Sequence, residues 1–268
     1  MSSTLLEDRG VIQVSGAGAG AFLQGLLTCD LDKLAPGGAA YGALLSPQGK
    51  IECDFILFER DGAFLLDCPL SRAAELLKKL SLYKLRSKVD IEDVSQTLAV
   101  LARWGNTGAG VPDPRDPRLG TRGIVARTGA ADPTLRADYE RLRVALGLPQ
   151  GGVDFAYADA FPHEANMDLL GGVDFRKGCF VGQEVVARVE HRGAARKRVA
   201  RVSYDGPPPA HGAALMAGAQ EIGVMGSVLE GQGLAMTRID RASEAMAAGV
   251  AILVEDRPAT LALPQKRA

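Results

Sequence analysis

Eight residues from Lys177 to Glu184, KGCFVGQE, place a cysteine where a reactive thiol is expected. Gly178 permits a sharp turn, Gly182 can open a helix, and Val185, Val186 and Val189 recur at helical spacing. Cys179 therefore stands just ahead of a helix N-terminus, where unpaired backbone N–H groups and the positive end of the helix dipole favour a thiolate. The nearby ammonium of Lys177 adds to the effect. The expectation is an acidic, partly exposed thiol; a buried structural cysteine is the alternative, because free cysteine is among the most buried residue types.

The other cysteines read differently. Cys53 alternates with Ile51, Phe55 and Leu57 on one strand face, Cys68 ends the apolar run FLLD, and Cys29 follows a helix carrying Phe22, Leu23, Leu26 and Leu27. No CxxC pair and no short spacing to histidine occurs, so a zinc site, a four-cysteine cluster and a disulfide framework are not expected. Gly16, Gly18 and Ala21 satisfy a dinucleotide-type GxGxx(G/A), but Pro36 stands about where the pattern needs an acidic residue, so a glycine-rich helix entry is the better reading. His163-Glu164 begins an HExxH that Met167 breaks. His163, Glu164, Asn166 and Asp168 gather just before the cysteine segment, either as a solvated loop or as a polar site, and Arg188, Arg192, Arg196 and Arg198 form a basic run best read as solvated surface.

These residues must be positioned by a mixed α and β scaffold. VIQV at 11–14, AYGALL at 40–45, KIECDFILF at 50–58 and AFLLDC at 63–68 read as strands, the last two as a hairpin. Helices are expected at 19–27 after a Ser15 cap, from Ser71 to about Leu82, and at 135–150; further strands fall at 89–94 and 97–103. Gly105 to Gly123, rich in Gly, Pro, Asp and Arg, reads as a solvated connection between two interleaved subdomains within residues 1–194. Beyond a boundary near Ala194, residues 195–268 show short, evenly spaced strands with Gly and Pro turns, the pattern of a small β-barrel or sandwich.

The 268 residues, 47% hydrophobic and 24% charged with a net charge of −1, describe a globular chain of two or three units. Nothing in that balance points to a nucleic-acid or membrane partner. With no basic, apolar leader in MSSTLLEDRG, a cytoplasmic location is expected.

KGCFVGQE closely resembles the signature of the YgfZ family, usually KGCYxGQE, with Phe180 in place of tyrosine. Leu27-Thr28-x-Asp30, the turn from Ser46 to Ile51, LSLYKLRSKVDI at 80–91, YERLRVALGLPQG at 139–151 and PHEANMDLLGG ahead of the signature look like that family's successive landmarks; GVMGSV and GLAMTRI resemble its terminal barrel. The resemblance implies a T-protein-like α+β ring of three domains around a folate-binding cavity, two interleaved α+β domains followed by a small C-terminal β-barrel. It also implies tetrahydrofolate binding and support of the assembly or repair of iron–sulfur enzymes, with assembly proteins or client enzymes as partners. Cys179 is then the functional thiol, lowered in pKa by Lys177, that transiently holds iron or a cluster, relays sulfur or exchanges with another cysteine. Glu164, Asn166, Gln183 and Glu184 are expected to face the pterin and Arg188 the anionic tail of folate. The aspartate that serves aminomethyl transfer in T-proteins falls at or near Ala74, beside Glu75, which counts against that activity. A folate-dependent aminomethyltransferase and a non-catalytic scaffold are the alternatives.

Overall fold

A computed structural model describes residues 2–85, 87–105, 110–193 and 195–265. Ala194, the side chain of Arg192 and part of the 105–123 connection lie outside the described residues. The chain runs β1 (Ser2–Leu5), β2 (Arg9–Ser15), α1 (Ala19–Gln24), β3 (Ala39–Leu45), β4 (Ile51–Arg60), β5 (Ala63–Pro69), α2 (Leu70–Lys84), β6 (Asp90–Asp93), β7 (Leu98–Trp104), β8 (Val111–Pro112), β9 (Thr121–Ala126) and α3 (Pro133–Ala145). A long segment of turns leads to α4 (Gln183–Arg192). The last third contains β10 (Lys197–Tyr204), β11 (Ala214–Ala217), β12 (Gln220–Leu229), β13 (Gln232–Arg238), α5 (Ile239–Ala247), β14 (Ile252–Val254) and β15 (Arg257–Ala262).

Three antiparallel sheets result: β3-β4-β5-β2-β6, β1-β7-β9-β8, and a closed six-stranded barrel in the order β10-β13-β12-β11-β14-β15. Strand β4 is buried on both faces, so it reads as a nearly unbroken apolar run. Its Ile56 and Phe58 join Val11, Val100, Ile124 and Tyr139 in a core between the two open sheets. Its Cys53, Phe55 and Leu57 pack instead beneath α1 and α2, where Ala73, Leu76 and Leu80 supply the buried stripe of α2. In the barrel the pleat of β10 turns Ala200, Val202 and Tyr204 inward, and Ala242 of α5 packs into the same core.

Several expectations are revised. Ser15 and Ser71 do not cap helices: α1 starts after Gly18 and stops at Gln24, and α2 starts directly from Pro69 as β5 ends. Helix α3 begins earlier than expected, because Asp132 accepts hydrogen bonds from the backbone N–H groups of Thr134 and Leu135. The connection at 105–123 is not a solvated loop over its described part. Asp113, Asp116, Leu119 and Arg122 are buried there, and the charges that suggested solvent exposure are spent on one another.

Those charges form the polar centre of the molecule. Asp67 of β5 accepts from Arg9 Nε of β2 at 2.5 Å and from Arg122 NH1 of β9 at 2.7 Å. Arg122 also donates to the Tyr139 hydroxyl of α3 at 2.6 Å and lies 3.3 Å from Asp113, which a fork from Arg115 grips at 3.0 and 2.8 Å. Asp67 and Arg122 thus tie the two open sheets together, with every ion in the set paired.

Candidate functional site

Cys179 lies in the loop that enters α4, and it is the exposed one among four cysteines; Cys29, Cys53 and Cys68 are buried. The loop is held by backbone and polar contacts from several elements. Gly182, the N-cap of α4, adopts φ 79°, and a Cβ there would meet Ser46 O at 2.6 Å and Gly49 Cα at 3.0 Å. Only glycine satisfies both the left-handed conformation and the close approach of the 46–49 turn. Gln183 turns back so that its Oε1 accepts from Phe180 N at 3.3 Å. Upstream, Thr28 Oγ1 donates to Gly172 O at 2.6 Å while accepting from Ala43 N at 2.8 Å, which fixes the segment that leads into the loop.

Lys177 is buried, and its Nζ donates to the carbonyls of Gln24, Leu27 and Cys29 at 2.8, 2.7 and 2.8 Å. Its three hydrogens are spent on the end of α1 and the residues after it, where helix carbonyls lack partners and a cation is favoured. The expected partnership of Lys177 with Cys179 is corrected accordingly: the lysine anchors the loop from beneath. Burial pulls its ammonium below the usual lysine range, against the charges of Asp30 and Asp174. The thiol that feels Lys177 is Cys29, which burial pushes up to about 12 in spite of the ammonium. Cys29 is therefore a neutral thiol near pH 7. Cys53 is likewise pushed well up, by a hydrogen bond with Cys68 and by burial.

The five residues expected around folate do not converge on one cavity. Glu164 Oε2 accepts from Phe161 N at 2.8 Å, Asn166 Nδ2 donates to Val199 O at 2.7 Å, and Gln183 closes its own loop. Glu184 and Arg188 pair with each other at 2.8 Å on an exposed helix face. The space among Arg9, Asp54, Arg115, Arg122, Tyr139 and Arg143 amounts to about 20 Å³, whereas ligand pockets occupy roughly 300 Å³ or more. Those five residues, each engaged elsewhere, do not line a single tetrahydrofolate site as the resemblance arranged it.

Two further departures concern polar residues. The 162–170 segment is not a solvated loop: His163 and Asn166 are buried, and Arg198, expected on the surface, grips Asp168 through 2.8 and 2.7 Å hydrogen bonds. Ala74 is exposed on α2, and Glu75 is taken up in pairs with Arg72 and Lys79. The position that matches the T-protein aspartate thus holds no free carboxylate. Thr28, the staple under the loop, carried one available signal, a hydroxyl embedded in the apolar run before Cys29.

Fold and loop together define a T-protein-like α+β protein with a terminal barrel and an exposed loop thiol. Residues 6–111 match the GCVT N-terminal domain and residues 196–266 the CAF17 C-terminal β-barrel domain. The glycine cleavage system aminomethyltransferase T from Bartonella henselae superposes with a TM-score of 0.73 over 98% of this chain and 84% of that one; at 18% identity the likeness speaks for the fold alone. The mitochondrial iron–sulfur cluster assembly factor IBA57 is 34% identical in Mus musculus and 32% in Homo sapiens, each match covering 77% of this chain and 67% of the relative. The chain belongs to this IBA57-type family. It spans 58% of the length of the 34% identical Mycosarcoma maydis homologue, over 75% of its own. The expectation of a cytoplasmic location is overturned, since these relatives are named as mitochondrial proteins.

Proposed function

We propose that this chain is an iron–sulfur cluster assembly factor, of the YgfZ type within its family, that works through the thiolate of Cys179. The observation that carries the reading is the contrast between Cys179 and the other three cysteines: one exposed thiol on a rigidly seated loop, and three sealed in the core. Phe175, upstream in the same loop, is also exposed and offers a partner an apolar contact. A cluster takes about four thiolate ligands, and this chain presents a single exposed one. The cluster is therefore cargo, shared with an assembly protein or client that contributes the remaining ligands. In that exchange the Cys179 thiol loses its proton to solvent, a sulfur–iron bond forms, and another ligand leaves the same iron; no electron is transferred. The buried anchor of Lys177 keeps the loop in place while the partner approaches.

The test separates chemistry from folding. Cys179→Ser is expected to change stability by less than about 1 kcal/mol, as for a substitution outside packed cores. Cells carrying it in place of the native protein should lose activity of iron–sulfur enzymes while iron-free enzymes stay normal. Full restoration of those activities by the serine variant would reject the proposal. In the purified protein an alkylating reagent should label Cys179 well ahead of the other three, read by peptide mass spectrometry.

A further inference from the structure

The turn of chain that precedes the cysteine loop brings together a second group of ligating side chains, separate from Cys179. A ring nitrogen of His163, a carboxylate oxygen of Asp168 and one of Glu190 lie within 4.8 Å of one another. His163 and Asp168 belong to the 162–170 segment, and Glu190 comes from the last turn of α4. His163 Nε2 is 3.1 Å from Glu190 Oε2, while its Nδ1 is buried without a partner. His163 is 2% exposed, so its ring presents Nε2 to Glu190 while Nδ1 is withheld from water with its capacity unspent.

The surroundings of Asp168 are arranged as they are around a ligating carboxylate, which is itself held by hydrogen bonds. Arg198 holds both oxygens of Asp168 from one side and also donates to the His163 carbonyl at 2.9 Å, which fixes the carboxylate and the backbone of the histidine together. The two carboxylates and the one guanidinium of the group sum to a charge of −1. Glu190 is partly exposed and gives solvent access and room for the ligands to close.

We propose that His163, Asp168 and Glu190 form a site for a first-row divalent cation of the zinc or ferrous-iron class. One nitrogen and two oxygen donors suit these ions, whereas calcium takes about 6–8 oxygens, and three protein ligands leave a position open for water or an exchangeable ligand. The site contains no thiol, so it is distinct from the cluster-binding role of Cys179. Metal there clamps the last turn of α4 to the 162–170 segment and braces Phe175, whose ring lies 5.8 Å from that of His163.

Cobalt(II) provides the test, on the full chain carrying Cys179→Ser so that no exposed thiolate contributes. The expected result is visible d–d absorption saturating at one equivalent and displaced by zinc. Glu190→Gln, on a partly exposed side chain, and His163→Leu should each weaken cobalt binding by at least about tenfold. The glutamine retains an acceptor for the histidine, so a merely structural hydrogen bond predicts unchanged cobalt affinity and unchanged melting temperature in that variant. Absence of one-equivalent absorption, or wild-type affinity in Glu190→Gln with its fold intact by circular dichroism, would overturn the site.

Discussion

Asp67→Asn is expected to destabilise the protein by about 3–5 kcal/mol, the loss typical when one partner of a buried ion pair is removed. Asp67 is fully buried and answers two guanidiniums, Arg9 and Arg122, that reach it from different sheets. The asparagine keeps the shape but removes the charge, and its NH2 group faces a cationic donor on one side. Against a total stability of roughly 5–15 kcal/mol, such a loss is a large fraction; melting should fall by roughly 10 °C at about 2–4 °C per kcal/mol. Arg122→Met combined with Asp67→Asn should cost less than the two single changes added together, because the double change removes both ends of one pair. Strict additivity in chemical denaturation would show that the pair does not couple the sheets.

The same network sets an acid limit. Burial by itself would raise the Asp113 carboxyl, but Arg115 and Arg122 outweigh it and hold the group down at about 2. A depressed carboxylate contributes stability that is complete above its unfolded value, about 4, and is lost as pH falls towards 2. Acid unfolding in that window, shifted upward in Asp67→Asn, is the corresponding observation.

What the sequence disclosed depended on whether a residue's neighbours in space were also its neighbours in the chain. The hairpin of β4 and β5, the stripe of α2 and most barrel strands follow from local periodicity, and they appear within a few residues of the expected bounds. The loop geometry around Gly182 was visible for the same reason. The roles of Lys177, Arg122 and Arg198 were not. Each is a charged side chain whose partners lie far along the chain or across a sheet, such as Lys177 with Gln24 and Arg122 with Asp67. Local composition then resembles solvated surface, while tertiary pairing makes it core. Strand β1 was missed because four residues beside a terminus carry little periodicity, and helix α5 because it starts directly where β13 ends, with no turn residue between them.

Lys177→Met puts the seat of the loop to the test. The substitution keeps most of the side-chain length but removes the donors to Gln24, Leu27 and Cys29, leaving carbonyls unanswered in a buried place. An unsatisfied buried group costs about 1–3 kcal/mol, so a loss of roughly 3 kcal/mol or more is expected, concentrated where α1 meets the cysteine loop. Because Cys29 lies at that junction, its thiol should become open to alkylation in the variant while Cys53 and Cys68, deep beneath α2 and between β4 and β5, stay protected. Iron–sulfur enzyme activities in cells should fall as the loop loses its position, even though Cys179 remains. If Lys177 instead acted by charging Cys179, the variant would keep its melting temperature and the protection of Cys29, and only the alkylation of Cys179 would slow. The two labelling patterns are opposite, so one mass-spectrometric experiment decides whether this lysine is an anchor or an activator.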